Sequence, residues 1–302
     1  MTSIQWDKLT CHAAPDYIKV MNASKVKTTI FSSSACWTPE PSRAYYNLTV
    51  QNPIFDDIQL LVVELCNPRL ACFELRVDLK PRDNVSESEV EALMSHTFNA
   101  VARGFRPEDT AFAQYGYRGG LERRGVSPMP FHRRVPKYTE QLIYGWRGDF
   151  LQSKMYFKST DEGRTLSIRD QSVRMELTMR SQALLEYRIE RVNDLVGYPF
   201  RSMFAEHFRM ISGVRVRAAK RLSDVDRKKL DKKIQLRFAK HGVSGFADNP
   251  EQRPWTSEKA VRMKKVRSAQ QIPFDSFVLM RDRFSNDKIG AALKQLERRM
   301  KH

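Results

Sequence analysis

Two apolar runs dominate the first third of the chain, Ile58–Cys66 (IQLLVVELC) and Ala71–Leu79 (ACFELRVDL). Their length and apolar content predict two strands, with Asn67-Pro68-Arg69-Leu70 as the connection between them. The second run alternates: Phe73, Leu75, Val77 and Leu79 share one face, and Glu74, Arg76 and Asp78 the other. The pattern then changes to a helical period. Ser86 and Glu89 form a capping box, Val85 and Val90 fit a hydrophobic staple, and Val90, Leu93, Met94, Thr97, Phe98 and Val101 make the apolar stripe.

Three further strands are predicted over Glu140–Gly145, Leu151–Lys158 and Ser172–Met179, with the turn signal Asp161-Glu162-Gly163 between the last two. In the third, Val173, Met175, Leu177 and Met179 alternate with Arg174, Glu176, Thr178 and Arg180. Helices follow over about 181–196, ending at Gly197, and from Pro199 onward with Phe200, Met203, Phe204, Phe208 and Ile211. Two more are expected near the end, from Asp224 to His241 and from Asn286 to Met300, the latter burying Ile289, Leu293, Leu296 and Met300. Residues 1 to about 55 read as short strands and loops, 104–137 as an irregular Gly-, Pro- and Arg-rich segment, and Ala247–Ser257 as a linker or exposed loop. The expected fold is α+β: a mainly antiparallel sheet packed by helices, then a basic helical C-terminal region. The expected division is a body over 1–214 and a nucleic-acid-binding region over 215–302.

Charge supports that division. The 302-residue chain carries a net +17. From Arg215 to His302 there are 24 Lys+Arg against 10 Asp+Glu, a net of +14, which leaves +3 for the rest. A protein this basic is expected to meet a polyanion, because phosphate contacts release condensed counterions. The expected contacts are Arg118, Arg133, Arg134, Arg174, Arg215, Arg217, Lys220, Arg221, Lys228, Lys229, Lys232, Lys233, Lys264 and Lys265. Gly116, Gly119 and Gly120, interleaved with Tyr115, Tyr117 and Arg118, read either as a clamp for single-stranded DNA or as a plain turn.

The four cysteines show no CxxC pair and no zinc-finger spacing, which suggests reduced thiols and a cytoplasmic protein. The N-terminus has no signal-peptide pattern, and no apolar run approaches the ~20 residues of a membrane span. A Walker-type phosphate loop and a Gly-x-Ser-x-Gly elbow are absent. No two of the six histidines are two apart, which excludes a His-x-His metal site.

The charged strand faces carry the candidate chemistry. Glu74, Asp78 and Glu176 on adjacent strands could converge on one Mg²⁺ or Mn²⁺ through oxygen ligands. Tyr144 and Tyr156 could supply a hydroxyl nucleophile, with Lys158 offsetting charge on a phosphate. The plainer alternative is a solvated sheet face with rim aromatics.

The stretch LIYGWRGDFLQSKMYFKSTDEG, followed by VRMELTMRSQALLE, resembles the trans-acting replication initiators that start rolling-circle replication of small plasmids and filamentous phages. Tyr144-Gly145 stands for the family's Tyr-x-Gly strand, Tyr156-Phe157-Lys158 for its Tyr-Asp-Lys-like strand, and Arg174-Met175-Glu176-Leu177 for its Arg-x-Glu-Leu strand. FELRVDLKP stands for the earlier acidic strand. The likeness covers about 70–190. It implies metal-dependent nicking and religation of one origin strand through a phosphotyrosine link. Tyr144 would be the first-choice nucleophile, Tyr156 the second, Glu74, Asp78 and Glu176 the metal ligands, and Lys158 the phosphate or metal-site partner. The implied partner is DNA, as origin duplex and single strand, with a homodimer left open. The alternative is a nucleic-acid-binding protein without catalysis, acting as a regulator or packaging protein.

Overall fold

A computed structural model describes residues 5–22, 27–39, 46–103, 114–116, 141–144, 150–161, 163–216, 223–241 and 277–301. The strands are β1 (Leu9–Asn22), β2 (Ala35–Pro39), β3 (Tyr46–Gln51), β4 (Arg69–Pro81), β5 (Val101–Arg103), β6 (Gln114–Gly116), β7 (Gln141–Tyr144), β8 (Leu151–Lys158), β9 (Thr160–Asp161), β10 (Arg164–Thr165), β11 (Ser172–Arg180), β12 (Phe208–Val216) and β13 (Phe277–Arg281). The helices are α1 (Phe55–Glu64), α2 (Glu87–Ala100), α3 (Ser181–Glu186), α4 (Phe200–His207), α5 (Asp224–His241) and α6 (Arg283–Arg299).

The centre of the fold is an eight-stranded sheet in the order β2-β3-β1-β4-β11-β8-β7-β6. Every pairing in it is antiparallel. The α+β architecture is the expected one. The alternation read in β4 and β11 sets their register: Val173 faces Leu79, Met175 faces Val77, Leu177 faces Leu75 and Met179 faces Phe73. All eight side chains are fully buried. They form a single apolar core with Ile58 and Leu61 of α1, Met94 and Phe98 of α2, Phe200 and Phe204 of α4, and Leu293 and Leu296 of α6. Burial of each such side chain is worth about 1.5–3 kcal/mol. At the start of α2, the Glu89 carboxylate accepts from the Ser86 N–H at 3.2 Å, the expected capping contact.

Four expectations change, one being that the helix from Pro199 ends at His207, with Phe208 and Ile211 on strand β12 instead. Ile58–Cys66 is not a strand: Phe55–Glu64 is helical. Ile58, Leu61 and Leu65 are buried at spacings of three and four, while Val63 is 67% exposed. A run this short and apolar suits either element, and the buried spacing here is helical. Asp57 stabilises the first turn, accepting from the Ile54 N–H at 3.0 Å and from the Ser32 N–H at 2.7 Å. The helix expected over 181–196 breaks into α3 and a 3₁₀ turn at Val192–Leu195. Arg188, between them, sits at φ 57°, which a continuous helix does not allow.

The last change concerns the C-terminal third. A boundary after residue 214 cuts through β12. β12 pairs with β13, and the buried face of α6 (Ile289, Ala292, Leu293, Leu296) joins the main core. So the segment holding the excess charge also supplies a core helix. Among the described residues, α5 has a small core of its own, where Ile234 and Phe238 pack with Ala102, Ile211 and Val214. No described helix is long and apolar enough to cross a membrane.

Candidate active site on the polar face of the sheet

The same alternation that buries one face of β4 and β11 puts Glu74, Arg76, Asp78, Arg174, Glu176 and Thr178 on the other. The register places Arg174 beside Asp78, Glu176 beside Arg76 and Thr178 beside Glu74. From β8, Tyr156 pairs with Arg174 and Lys154 with Glu176. This face is not washed by solvent: Glu74, Asp78, Arg174 and Glu176 are all buried.

The Lys154 ammonium donates to Glu74 Oε2 at 3.0 Å and to Glu176 Oε2 at 3.1 Å. The Tyr156 hydroxyl donates to the other oxygen, Glu176 Oε1, at 2.5 Å. Thr178 donates to Glu74 as well. Asp78 is held differently. Arg174 Nε and Nη2 reach its two oxygens at 2.7 and 3.0 Å, and the Ser172 hydroxyl adds 3.1 Å. A fourth acid, Asp16 of β1, is paired with Arg76 and lies 3.4 Å from Arg174 Nη1.

Burial and the neighbouring Glu176 carboxylate raise the Glu74 carboxyl to about 7, with Lys154 opposing. Burial works against the Lys154 charge, but Glu176 and Glu74 outweigh it and hold the ammonium above its usual range. Burial and the Glu176 carboxylate push the Tyr156 phenol upward. Asp16 is held low by Arg76 and Arg174 in spite of its burial. The result is four carboxylates facing three cations, packed where an unpaired charge is expensive.

A metal would need oxygen ligands within reach of each other. Carboxylate oxygens of Asp16, Glu74 and Glu176 lie within 4.8 Å of one another. That donor set suits a hard divalent cation. The ammonium of Lys154 holds two of those oxygens, so a bound cation and Lys154 would compete for them. Of the expected ligands, Glu74 and Glu176 are brought together, while Asp78 is committed to Arg174. Asp16 takes the third place.

The other expected residues scatter. Lys158 pairs with the exposed Asp161 at 2.8 Å, three residues along the chain. Arg174, expected on nucleic acid, is buried against Asp78. Tyr144 pairs through its backbone with Ser153, which belongs to the buried Ser153–Met155 series and not to the Lys154–Tyr156 series. Its side chain is outside the described residues, as is that of Arg215. Also outside them are Arg118, Arg133, Arg134, Arg217, Lys220, Arg221, Lys264 and Lys265, and with them the Gly119–Gly120 turn. Lys228, Lys229, Lys232 and Lys233 are exposed along α5.

Two site residues escaped the sequence reading. Lys154 was legible, since Gln152, Lys154, Tyr156 and Lys158 alternate along one strand. Asp16 was not. Leu9, Ala13 and Pro15 are buried at odd positions, then Ile18 and Val20 at even ones. The pairing with β4 slips between Pro15 and Tyr17. This bulge inserts Asp16 and reverses the phase of the alternation.

No family model and no curated protein matches the chain. Among solved structures, the chain is similar to a rolling circle replication initiator protein from Geobacillus stearothermophilus, at 10% identity and a TM-score of 0.35, over 75% of this chain and 97% of that one.

Proposed function

We propose that this protein starts rolling-circle replication by nicking one DNA strand, with Tyr156 as the nucleophile. The observation that carries this reading is the Tyr156 hydroxyl donating to Glu176 inside a buried cluster of carboxylates and cations. The strand resemblance around Tyr156 and Glu176 and the net charge of +17 also support it.

A phenol in this setting keeps its proton at neutral pH, because burial and Glu176 both raise it. Glu176 is the base within reach. As the Tyr156 oxygen attacks phosphorus, the proton passes to Glu176 Oε1. The bond from phosphorus to the 3′ oxygen breaks, that oxygen leaves as a hydroxyl after taking a proton from a water molecule, whose hydroxide the proton on Glu176 neutralises, and the 5′ phosphate stays on the tyrosine. Religation runs the same steps backward. Arg174 holds Asp78 in place, and Lys154, wherever a cation takes its place on Glu74 and Glu176, would offset charge near the phosphate. Asp16, Glu74 and Glu176 would hold a Mg²⁺ or Mn²⁺ ion, which would supply positive charge for the phosphate oxygens and the developing phenolate. The exposed lysines of α5 would grip the duplex backbone.

The test is incubation with supercoiled DNA carrying candidate origins, with Mg²⁺ or Mn²⁺. The expected product is a nicked circle with protein on its 5′ end. Binding without any nick, across origins and both metals, would leave a nucleic-acid-binding protein without catalysis.

A further inference from the structure

A cleft of about 600 Å³ opens beside this cluster, between β1, the residues leading into α1 and the last turn of α6. Arg76, Arg298 and Arg299 line it together with His12, and none of the described lining residues is acidic. Arg298 is exposed and has no carboxylate partner among the described residues. Arg299 is fixed by a bond from Nη2 to the Ala13 carbonyl at 2.9 Å, which leaves its other nitrogens available. The positive field is felt within the cleft. Burial lowers the His12 imidazole and Arg299 lowers it further; Asp78 opposes them, ahead of lesser lowering by Arg76 and Lys80.

The opposite wall is apolar. Pro53, Ile54 and Phe55 precede or begin α1, and Ile54 is 48% exposed. An isoleucine facing water beside guanidinium groups suits a ligand with one anionic and one apolar part. A nucleotide unit has both, a phosphate and a sugar with its base. The cleft also has a fixed relation to the cluster, because Arg76 lines the one and its guanidinium pairs with Asp16 of the other. The volume is of the order that pockets for small ligands occupy, roughly 300–1,000 Å³.

We propose that this cleft seats a nucleotide of single-stranded DNA next to the cluster, with its phosphate on Arg298 and Arg299 and its apolar part on Ile54. The segment is the stretch of strand that continues from the nick, so the inference rests on the nicking reading for its meaning. Its binding test does not.

Binding of a fluorescein-labelled single-stranded 12-mer, read by anisotropy across a salt series, decides it. The variants are Arg298→Glu, Ile54→Ser and, as an equal change of charge elsewhere, Arg188→Glu on an exposed turn. Arg298→Glu should weaken binding at least tenfold and reduce the salt slope by about one phosphate contact. Ile54→Ser should weaken it several-fold, with the loss persisting at high salt. Arg188→Glu should stay within twofold of the unaltered protein. Equal losses in Arg298→Glu and Arg188→Glu would mean a diffuse charge effect and overturn the assignment, as would an Arg298→Glu protein that binds normally. If no DNA is ever nicked but Arg298→Glu alone loses the 12-mer, the cleft stands and the nicking reading falls. Thermal melts confirm that the variants are folded; both Arg298 and Ile54 are exposed, so each should melt with the parent.

Discussion

The two faces of β4 and β11 are both largely buried and opposite in chemistry. One face holds Phe73, Leu75, Val77, Leu79 and their four partners from β11, a layer whose burial stabilises the fold directly. The other holds Glu74, Asp78, Arg174 and Glu176, where each charge is tolerated only through its neighbours. Stability alone does not ask for this. Buried ion pairs can often be replaced by apolar residues at little cost or with gain. A sheet that keeps seven charged side chains on one face, with a tyrosine hydroxyl bound to one of them, is the arrangement the proposed nicking reaction would use.

That contrast can be broken at either face. The largest effect on stability is expected from Arg174→Met, which takes the two-point partner from buried Asp78 and leaves it only Arg76 Nε at 3.4 Å and the Ser172 hydroxyl. The loss should be about 3–5 kcal/mol by urea unfolding. The double variant Arg174→Met, Asp78→Leu should recover to within about 1 kcal/mol of the parent, because no charge is stranded. On the apolar face, Leu177→Ala should cost about 2–5 kcal/mol, and no second substitution on the polar face should restore it. A smaller effect sharpens the electrostatics. Glu176→Gln removes the like charge beside Glu74, so the Glu74 carboxyl should titrate below its value of about 7, as read by carbon NMR of the side chain. An unchanged titration would mean that burial alone sets it. The smallest effect belongs to the exposed lysines: Lys232→Ala should change stability by no more than about 0.5 kcal/mol while reducing the salt dependence of duplex binding.

The two faces also differ in how much of them the sequence disclosed. The apolar face was legible because a period of two over Phe73–Leu79 and Val173–Met179 has one structural meaning. Those strands carried Glu74 and Glu176 with them, and the 151–158 strand brought Tyr156 to the same face. What stayed hidden depended on three dimensions. Asp16 enters through a bulge that scrambles the alternation of β1. Asp78 was legible as a carboxylate but not as the partner of Arg174, since several cations were equally near in sequence. Ile58–Cys66 was misread because its apolar residues fit a strand until the buried spacing of Ile58, Leu61 and Leu65 is known. The charge of the last third suggested a separate arm, yet α6 spends its apolar stripe on the main core. A net charge reports on partners, not on where a segment packs.

The central claim is that the polar face is a nicking site with Tyr156 at its centre. Its most direct test is to trap the protein on cut supercoiled DNA with Mn²⁺, digest with protease and nuclease, and locate the nucleotide adduct by mass spectrometry. The account predicts the adduct on Tyr156, lost in Tyr156→Phe and kept in Tyr144→Phe. An adduct on Tyr144, or a Tyr156→Phe protein that still forms one, would contradict it.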